Sequence, residues 1–213
     1  MKTDDLVKVD FLNALLAGDR QVASKIIQNL LQHGVQINYL YEEIIKDAMY
    51  KVGDLWENGS ISVATEHLAS AVVQAILNDL YSYILTQTKN SKIVVIGCVE
   101  NEQHQIGAKM VADVFDMNEW NTHFLGAGLP VEDLIRFMKD VRPDVLALSV
   151  SLHLNLSNLG KMIEAIHQAM PGLLILIGGQ AFNKGGQERF LKYPDILYAN
   201  GLYELESLLA NRA

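Results

Sequence analysis

The chain has 213 residues, of which 50% are hydrophobic and 20% are charged, as is usual for a globular protein with a sizeable core. Its net charge of −8 argues against binding to nucleic acid through overall electrostatic attraction, and we expect no direct nucleic-acid partner. No apolar stretch has the length of a membrane span, and the first residues lack the order of a signal peptide. A single cysteine, Cys98, excludes an internal disulfide framework, so a cytoplasmic location is expected.

The residues from Thr3 to about Thr86 have helical periodicity throughout. Apolar positions recur at spacings of three and four in four segments: "LVKVDFLNALLAG", "VASKIIQNLLQHG", "INYLYEEIIKDAMYKVGDLW" and "VATEHLASAVVQAILNDLYSYIL". Breaks fall at Gly18-Asp19, His33-Gly34 and Asn58-Gly59, and Ser62 is placed to cap the fourth helix. The pattern predicts a four-helix bundle, which forms a first domain over residues 1–87.

A polar stretch, "TQTKNSK" at Thr86–Lys92, is predicted to be the interdomain linker. After it, short apolar runs alternate with helical segments, which predicts a second domain over residues 92–213. Its architecture is α/β, a doubly wound, flavodoxin-like sheet of five parallel strands. The predicted strands are Lys92–Val99, Trp120–Leu125, Asp144–Ser151, Leu173–Gly179 and Ile196–Ala199. The predicted helices are Ile106–Met117, Val131–Val141, Leu156–Met170, Gly185–Leu191 and Leu202–Ala210.

The loop after the first strand, "VENEQHQIGA", carries Glu102 and His104. A histidine ligates a metal well when its second ring nitrogen is fixed by an acceptor, and a nearby carboxylate is a suitable acceptor. Gly107 would let a bulky group approach the backbone. The alternative is a solvated polar loop with an incidental histidine.

Two further strand ends carry candidate ligand-binding residues. "LSVSLHLN" places Ser149, Ser151 and His153 after the third strand, and "LIGGQAF" places Gly178-Gly179 after the fourth. Because ligands of such folds bind at the carboxyl ends of the strands, these segments and the His104 loop are expected to line one crevice. Each segment alone is equally consistent with an ordinary turn.

This set of motifs resembles the cobalamin-binding domain family. The resemblance implies that His104 replaces the dimethylbenzimidazole base as the lower axial cobalt ligand and that Glu102 orients it. It also implies that Gly107 admits the corrin or the nucleotide tail and that Ser149, Gly178 and Gly179 line the tail slot. The acid is usually Asp, and the Glu-x-His form is associated with the sensory branch of the family. The neighbouring residues Gln103, Gln105, Ile106, Ser151, Leu152, His153 and Gln180 complete the candidate cofactor-binding set in this half. A flavodoxin-like domain holding another ligand is the alternative.

The helical half is similar to the cap of methionine-synthase-type cobalamin proteins. Trp56, nine residues and then Glu66-His67 form the pattern of CarH-type photoreceptors and their AerR-like relatives. The resemblance implies that Trp56 and Glu66 contact the upper ligand, with Val63 and His67 close by. The alternative is that Trp56 is bundle core and Glu66-His67 a solvated helix face. Glu57 stands where those photoreceptors have a second histidine, so only His67 of the cap is placed to bind cobalt from above.

The resemblance implies a non-enzymatic cobalamin-dependent sensor of light or of the corrinoid, with adenosylcobalamin as the expected cofactor and methylcobalamin or hydroxocobalamin as other options. Such a protein would signal through a partner protein or through a change of homo-oligomer. The alternative is a corrinoid methyl-carrier protein of a methyltransferase system. A mutase subunit is disfavoured, because mutase cobalamin domains normally pair with a barrel and lack this cap.

The other histidines, His33, His123, His153 and His167, show no metal-ligand spacing. We expect His33 and His167 on exposed helix faces and Cys98 buried within the first strand.

Overall fold

The computed structural model describes residues 2–85 and 88–210, with side chains described from residue 5 onward. The chain divides into two compact units, Met1–Tyr83 and Ile84–Ala213, called here the helical unit and the α/β unit. Among the residues described, no helix combines the length and the apolar character needed to cross a membrane.

The helical unit contains the four predicted helices. They are α1 (Lys2–Leu16), α2 (Arg20–Gln32), a third helix in three parts and α5 (Val63–Ile84). The third helix begins as α3 (Ile37–Tyr39), continues through a π-helical segment (Leu40–Ile45) and ends as α4 (Lys46–Glu57). The prediction of four helices is confirmed, but helical periodicity gave no sign of the π-helical segment.

Polar side chains begin two of these helices. Asp19 caps α2 by accepting a hydrogen bond from the Val22 amide at 3.0 Å. Ser62 caps α5, as predicted, and its Oγ accepts from the Thr65 amide at 3.1 Å. The apolar faces then meet in a core whose largest members include Phe11, Leu15, Ile27, Tyr41, Ile44 and Ile76.

The α/β unit alternates strands and helices. Its strands are β1 (Ile93–Cys98), β2 (Asn121–Gly126), β3 (Val145–Ser149), β4 (Leu174–Gly178) and β5 (Ile196–Ala199). Its helices are α6 (Ile106–Met117), α7 (Val131–Val141), α8 (Leu156–Ala169) and α9 (Leu202–Ala210). Apolar residues fill β1 and β3 almost completely and these strands are buried, as expected when helices cover both faces of a sheet.

All strand pairs are parallel, and the strand order is β2-β1-β3-β4-β5. This is the flavodoxin-like order, so the predicted fold class is confirmed. The register aligns the last residues of the three central strands, Cys98, Ser149 and Gly178, on one line across the sheet. The loops that carry the candidate residues therefore leave the sheet at one edge.

One predicted helix of the α/β unit is wrong. The sequence predicts a helix over Gly185–Leu191, but the structure has only a short 3-10 helix within that segment, Gln187–Arg189, and another just before it, Gln180–Lys184. Gly185 and Gly186 lie between them with φ of +84° and +105°, a backbone conformation that interrupts any right-handed helix.

The predicted linker is largely part of the α/β unit. Thr86 and Gln87 of that stretch lie outside the described residues. Beyond them, Lys89 Nζ lies 2.7 Å from Asp116 Oδ1, and the Asn90 amide donates to Glu119 O at 2.7 Å. Residues 88–92 are thus attached to the end of α6 and the loop that follows it.

The two helix histidines differ. His33 is exposed, as predicted. The prediction for His167 is wrong, because its side chain is largely buried, with Nε2 3.0 Å from Asp195 Oδ2 and its ring edge-to-face with Tyr193. Asp195 and Tyr193 come from the segment before β5, a long-range contact that helix periodicity does not reveal.

Candidate functional site

A tight turn after β1 places Glu102. The Val99 amide still bonds to Ser149 O at 3.0 Å, as if it continued the strand, and the Glu102 amide donates to Val99 O at 2.9 Å. Asn101 takes the left-handed conformation at φ +67°, which asparagine tolerates better than most residues. The turn directs the chain back toward the sheet edge, and the Glu102 side chain is fully buried.

Five donors surround the Glu102 carboxylate. Oε1 accepts from His104 Nδ1 at 2.5 Å and from the His104 amide at 3.1 Å. Oε2 accepts from the amides of Ser151 and Leu152 at 3.0 and 2.9 Å and from Asn155 Nδ2 at 3.1 Å. One carboxylate therefore joins the loop after β1 to the loop after β3.

These hydrogen bonds determine the charge of Glu102. Burial alone would raise the pKa of the carboxyl group, but the bonds from His104, Leu152 and Asn155 outweigh it and lower the pKa to about 2. Glu102 is therefore ionised throughout the neutral range. Burial, together with the Glu102 charge, raises the pKa of the Cys98 thiol to about 12, which leaves Cys98 an unreactive apolar residue.

The Glu102 contact also determines how His104 can bind a metal. Nδ1 is held by the carboxylate, so Nε2 is the ring nitrogen for a metal, and the ionised partner raises its basicity. The His104 side chain is 46% exposed, in contrast to the buried carboxylate behind it. A buried anion behind a solvent-facing imidazole suits an axial ligand of cobalt, and these residues fit a cobalamin.

Asn155 also belongs to this site, although it is not among the residues predicted from the sequence. Its side chain is buried, donates to Glu102 and accepts from Asn158 Nδ2 at 3.5 Å, and Asn158 also donates to Glu100 O at 3.3 Å. Asn155 immediately precedes α8, where an asparagine usually indicates a helix cap. Its side chain instead bonds across to the carboxylate, which only the folded loops make possible.

The two adjacent glycines at the end of β4 are required by the fold itself. Gly179 has φ +120°, and a Cβ there would lie 2.2 Å from Val150 O; at Gly178 a Cβ would lie 2.9 Å from Ala199 O. Gly107 differs, since the nearest atom to a Cβ there would be Ser149 Oγ at 3.8 Å. Space beside the sheet edge is thus available at Gly107, and the tail-lining role of these residues stays a prediction.

The glutamines beside His104 face the loop after β2. A Cβ on Gly126 would meet Gln105 Oε1 at 2.7 Å, and one on Gly128 would lie 4.0 Å from Gln103 Nε2. Ile106 follows as the first residue of α6. Among the other predicted residues, His153 is exposed with Nδ1 3.2 Å from Ala181 O, and Gln180 begins the 3-10 helix after β4.

The predicted residues of the helical unit flank the loop between α4 and α5. Trp56 lies in the last turn of α4 and is 43% exposed, so the alternative in which it is bundle core does not hold. Val63 begins α5 and is also exposed. Glu66 is mostly buried and accepts from Ser70 Oγ at 2.7 Å, whereas His67 is exposed with Nε2 3.5 Å from Glu66 Oε2.

Within residues 2–85 and 88–210, no group of three or more His, Cys, Asp or Glu side chains is arranged to hold a metal ion. A cobalamin would not need such a cluster, because a single side chain, for which the exposed His104 is the candidate, would suffice as its protein ligand.

The strand order is that of a flavodoxin-like α/β domain, and the Glu102–His104 pair fits the cobalamin-binding class of such domains. Residues 92–203 match the family described as B12 binding domain, and residues 8–81 match a second family of the same description. The first match covers more than half of the chain. The protein belongs to the B12 binding domain family and is a cobalamin-binding protein.

Proteins of two kinds are among its curated relatives. The chain is 29% identical over 143 residues to the HTH-type transcriptional repressor CarH of Myxococcus xanthus, a match of 66% of this chain and 47% of that repressor. The chain thus spans about half the length of CarH. It is 23% identical over 160 residues to trimethylamine corrinoid protein 1 of Methanosarcina acetivorans, which is 74% of each chain.

Solved structures confirm the fold. The monomethylamine corrinoid protein of Methanosarcina barkeri superposes with a TM-score of 0.81 at 13% identity, covering 95% of this chain and 96% of that one. A cobalamin-binding protein from Desulfitobacterium hafniense superposes with a TM-score of 0.52 at 19% identity, covering 97% and 98%. The architecture of an N-terminal helical domain and an α/β domain is thus shared with corrinoid proteins.

Proposed function

We propose that this protein is a cytoplasmic cobalamin-dependent sensor without catalytic turnover, which binds adenosylcobalamin with His104 as the lower axial ligand. In this proposal Trp56 and Glu66 contact the upper ligand, and loss of that ligand alters the helical unit. The change is passed to a partner protein or to the oligomeric state of the protein itself.

The exposed side chain of Trp56 is the observation that carries the proposal. A tryptophan that is 43% exposed at a helix end is not explained by packing of the bundle and offers a flat indole for stacking on an adenine. Glu66 lies in the first turn of the next helix, and one of its oxygens accepts a hydrogen bond from Ser70 Oγ. Such a carboxylate is well suited to accept hydrogen bonds from ribose hydroxyls.

The residues of the α/β unit would hold the lower side of the cofactor in the same way before and after light. Glu102 is fixed by five donors and stays ionised, so the imidazole of His104 keeps its orientation and its basic Nε2. Bound adenosylcobalamin supplies a cobalt–carbon bond that light can break. The signal would then arise from lost contacts of Trp56 and Glu66 and from repacking of the helices.

Illumination of the purified complex tests the proposal. The full chain is loaded with adenosylcobalamin in the dark, and its visible spectrum, limited proteolysis pattern and oligomer size are compared before and after light. We expect a spectral change together with a change in proteolysis of the helical unit or in oligomer size. A spectral change without either of the others would contradict the sensor proposal.

A pair of variants separates specific contact from general surface effects. Trp56→Leu should lower the affinity for adenosylcobalamin relative to methylcobalamin, because only the former offers an adenine. Tyr81→Leu, which removes another exposed aromatic of the helical unit, should leave that ratio unchanged. If the ratio of the two affinities were the same in both variants and in the wild type, Trp56 would not be part of the site.

A second function, corrinoid methyl carrier, is favoured by the match to methylamine corrinoid proteins over about three quarters of their length. A carrier would be inert in the illumination experiment apart from photolysis of the cofactor. Its methylcobalamin form would instead lose the methyl group to a thiol acceptor in the presence of a corrinoid-dependent methyltransferase. That transfer, without a light-dependent change in the helical unit, would favour the carrier.

A further inference from the structure

A groove built entirely from the helical unit lies between α2 and α5. Its floor is apolar and includes Ile27, Ile76 and Leu80, all almost fully buried. Its volume is about 150 Å³, a size that holds a benzene-sized group. With no polar group on these three floor residues, the groove suits one large apolar side chain and disfavours a charged one.

The rim of the groove is acidic and aromatic. Asp79 and Tyr83 lie four residues apart on α5 and so face the same side of the helix. Asp79 makes no ion pair among the residues that the structure describes, and Tyr83 is 66% exposed. A carboxylate beside an aromatic ring attracts an ammonium or guanidinium group. The opposite rim, with Ser24 and Gln28 of α2, is uncharged.

We propose that this groove binds a basic amphipathic helix of a partner protein. One leucine-sized side chain of that helix fills the groove, and a lysine or arginine one turn away meets Asp79 and Tyr83. Apolar anchors spaced along one face are how helices bind in grooves. The inference concerns the helical unit alone and does not depend on the choice between sensor and methyl carrier.

Charge complementarity identifies the class of partner. Residues 1–83 contain eleven acidic and six basic side chains, a net charge of −5. A basic helix is therefore attracted to this unit, and an acidic helix is repelled. A second copy of this chain is disfavoured, because each copy carries a net charge of −8.

The probe is a lysine-rich amphipathic helical peptide with leucines on one face, and a matched peptide has glutamate in place of every lysine. Binding to the cobalamin-loaded full chain is measured by fluorescence anisotropy, and amide chemical shifts locate it. We expect the basic peptide to bind with shifts confined to α2 and α5, and the acidic peptide not to bind.

Three variants test the groove itself. Asp79→Lys should weaken basic-peptide binding by about five- to tenfold, as expected when an exposed attraction becomes a repulsion. Asp10→Lys, an equal charge change at an exposed site on α1, should weaken it by at most about twofold. Ser24→Leu should abolish binding by filling the groove without changing charge. Circular dichroism checks that each variant is folded.

Three outcomes would overturn the inference. Equal weakening by Asp79→Lys and Asp10→Lys would mean that only bulk charge is recognised. Binding that survives in folded Ser24→Leu would exclude the groove as the anchor site. Concentration-dependent dimerisation of the wild type that Ser24→Leu abolishes would assign the groove to a second copy of the chain.

Discussion

Replacement of Glu102 by glutamine removes one charge and keeps the shape of the side chain. The pKa of this carboxyl is lowered from 4.5 to about 2, so the folded protein favours the ionised over the protonated group by about 3 kcal/mol more than the unfolded chain does. Glutamine resembles the protonated acid. Its amide NH₂ must also face donors on one side, either the two of His104 or the three of the 151–155 loop. We therefore expect Glu102→Gln to destabilise the cofactor-free protein by about 3 kcal/mol.

The same substitution should weaken cobalamin binding. Loss of the partner that orients a metal-binding histidine typically costs about 10- to 100-fold in affinity. Affinity is measured by spectral titration with cobalamin, and stability by urea unfolding of the cofactor-free protein. Glu100→Gln is the matched control, because it removes the same charge from the same turn and leaves the Glu102 contacts intact. If Glu102→Gln matched Glu100→Gln in both measurements, the orienting role of Glu102 would be refuted.

Further predictions concern pH and the glycines. Because the pKa of Glu102 is lowered on folding, the ionised carboxylate contributes fully to the free energy of unfolding above pH 4.5, and this contribution is lost as the pH falls toward 2. The difference in the free energy of unfolding between wild type and Glu102→Gln should therefore shrink over that range. A constant difference in urea unfolding experiments at several pH values would contradict this. Gly179→Ala should lower the free energy of unfolding by about 3 kcal/mol or more, because the alanine Cβ would overlap Val150 O. Gly107→Ala should instead raise cofactor-free stability by up to about 1 kcal/mol yet weaken cobalamin binding about tenfold or more, and unchanged binding would place the nucleotide tail elsewhere.

Most of the fold was predictable because burial on both faces gives each central strand a continuous apolar run. "KIVVIGCV" and "DVLALSVS" located β1 and β3 to within two residues at either end. Helix periodicity and Ser62 likewise located α5. Local pattern failed at Gly185-Gly186, where a short polar-apolar mixture suggested a helix that positive φ angles interrupt.

The candidate site was predictable only in part, because some of its contacts join residues that are close in the sequence and others join residues that are far apart. Glu102 and His104 are two residues apart, and their contact follows from that spacing. Asn155 lies 53 residues from Glu102, and nothing near it indicates that its side chain turns away from α8. The exposure of Trp56 is also a tertiary property, since the same spacing fits a core residue and a surface residue.

The departure from the usual aspartate has a structural explanation in the reach of Glu102. One oxygen must meet His104, while the other meets the amides of Ser151 and Leu152 on a different loop. An aspartate is shorter by one carbon–carbon bond, about 1.5 Å, so from this backbone position it would lose one of these two sets of contacts. A buried carboxylate without enough donors would protonate, and a protonated acid no longer favours a basic Nε2 on the histidine. The longer side chain therefore keeps the acid ionised, and an ionised acid would make His104 Nε2 a stronger ligand for a metal.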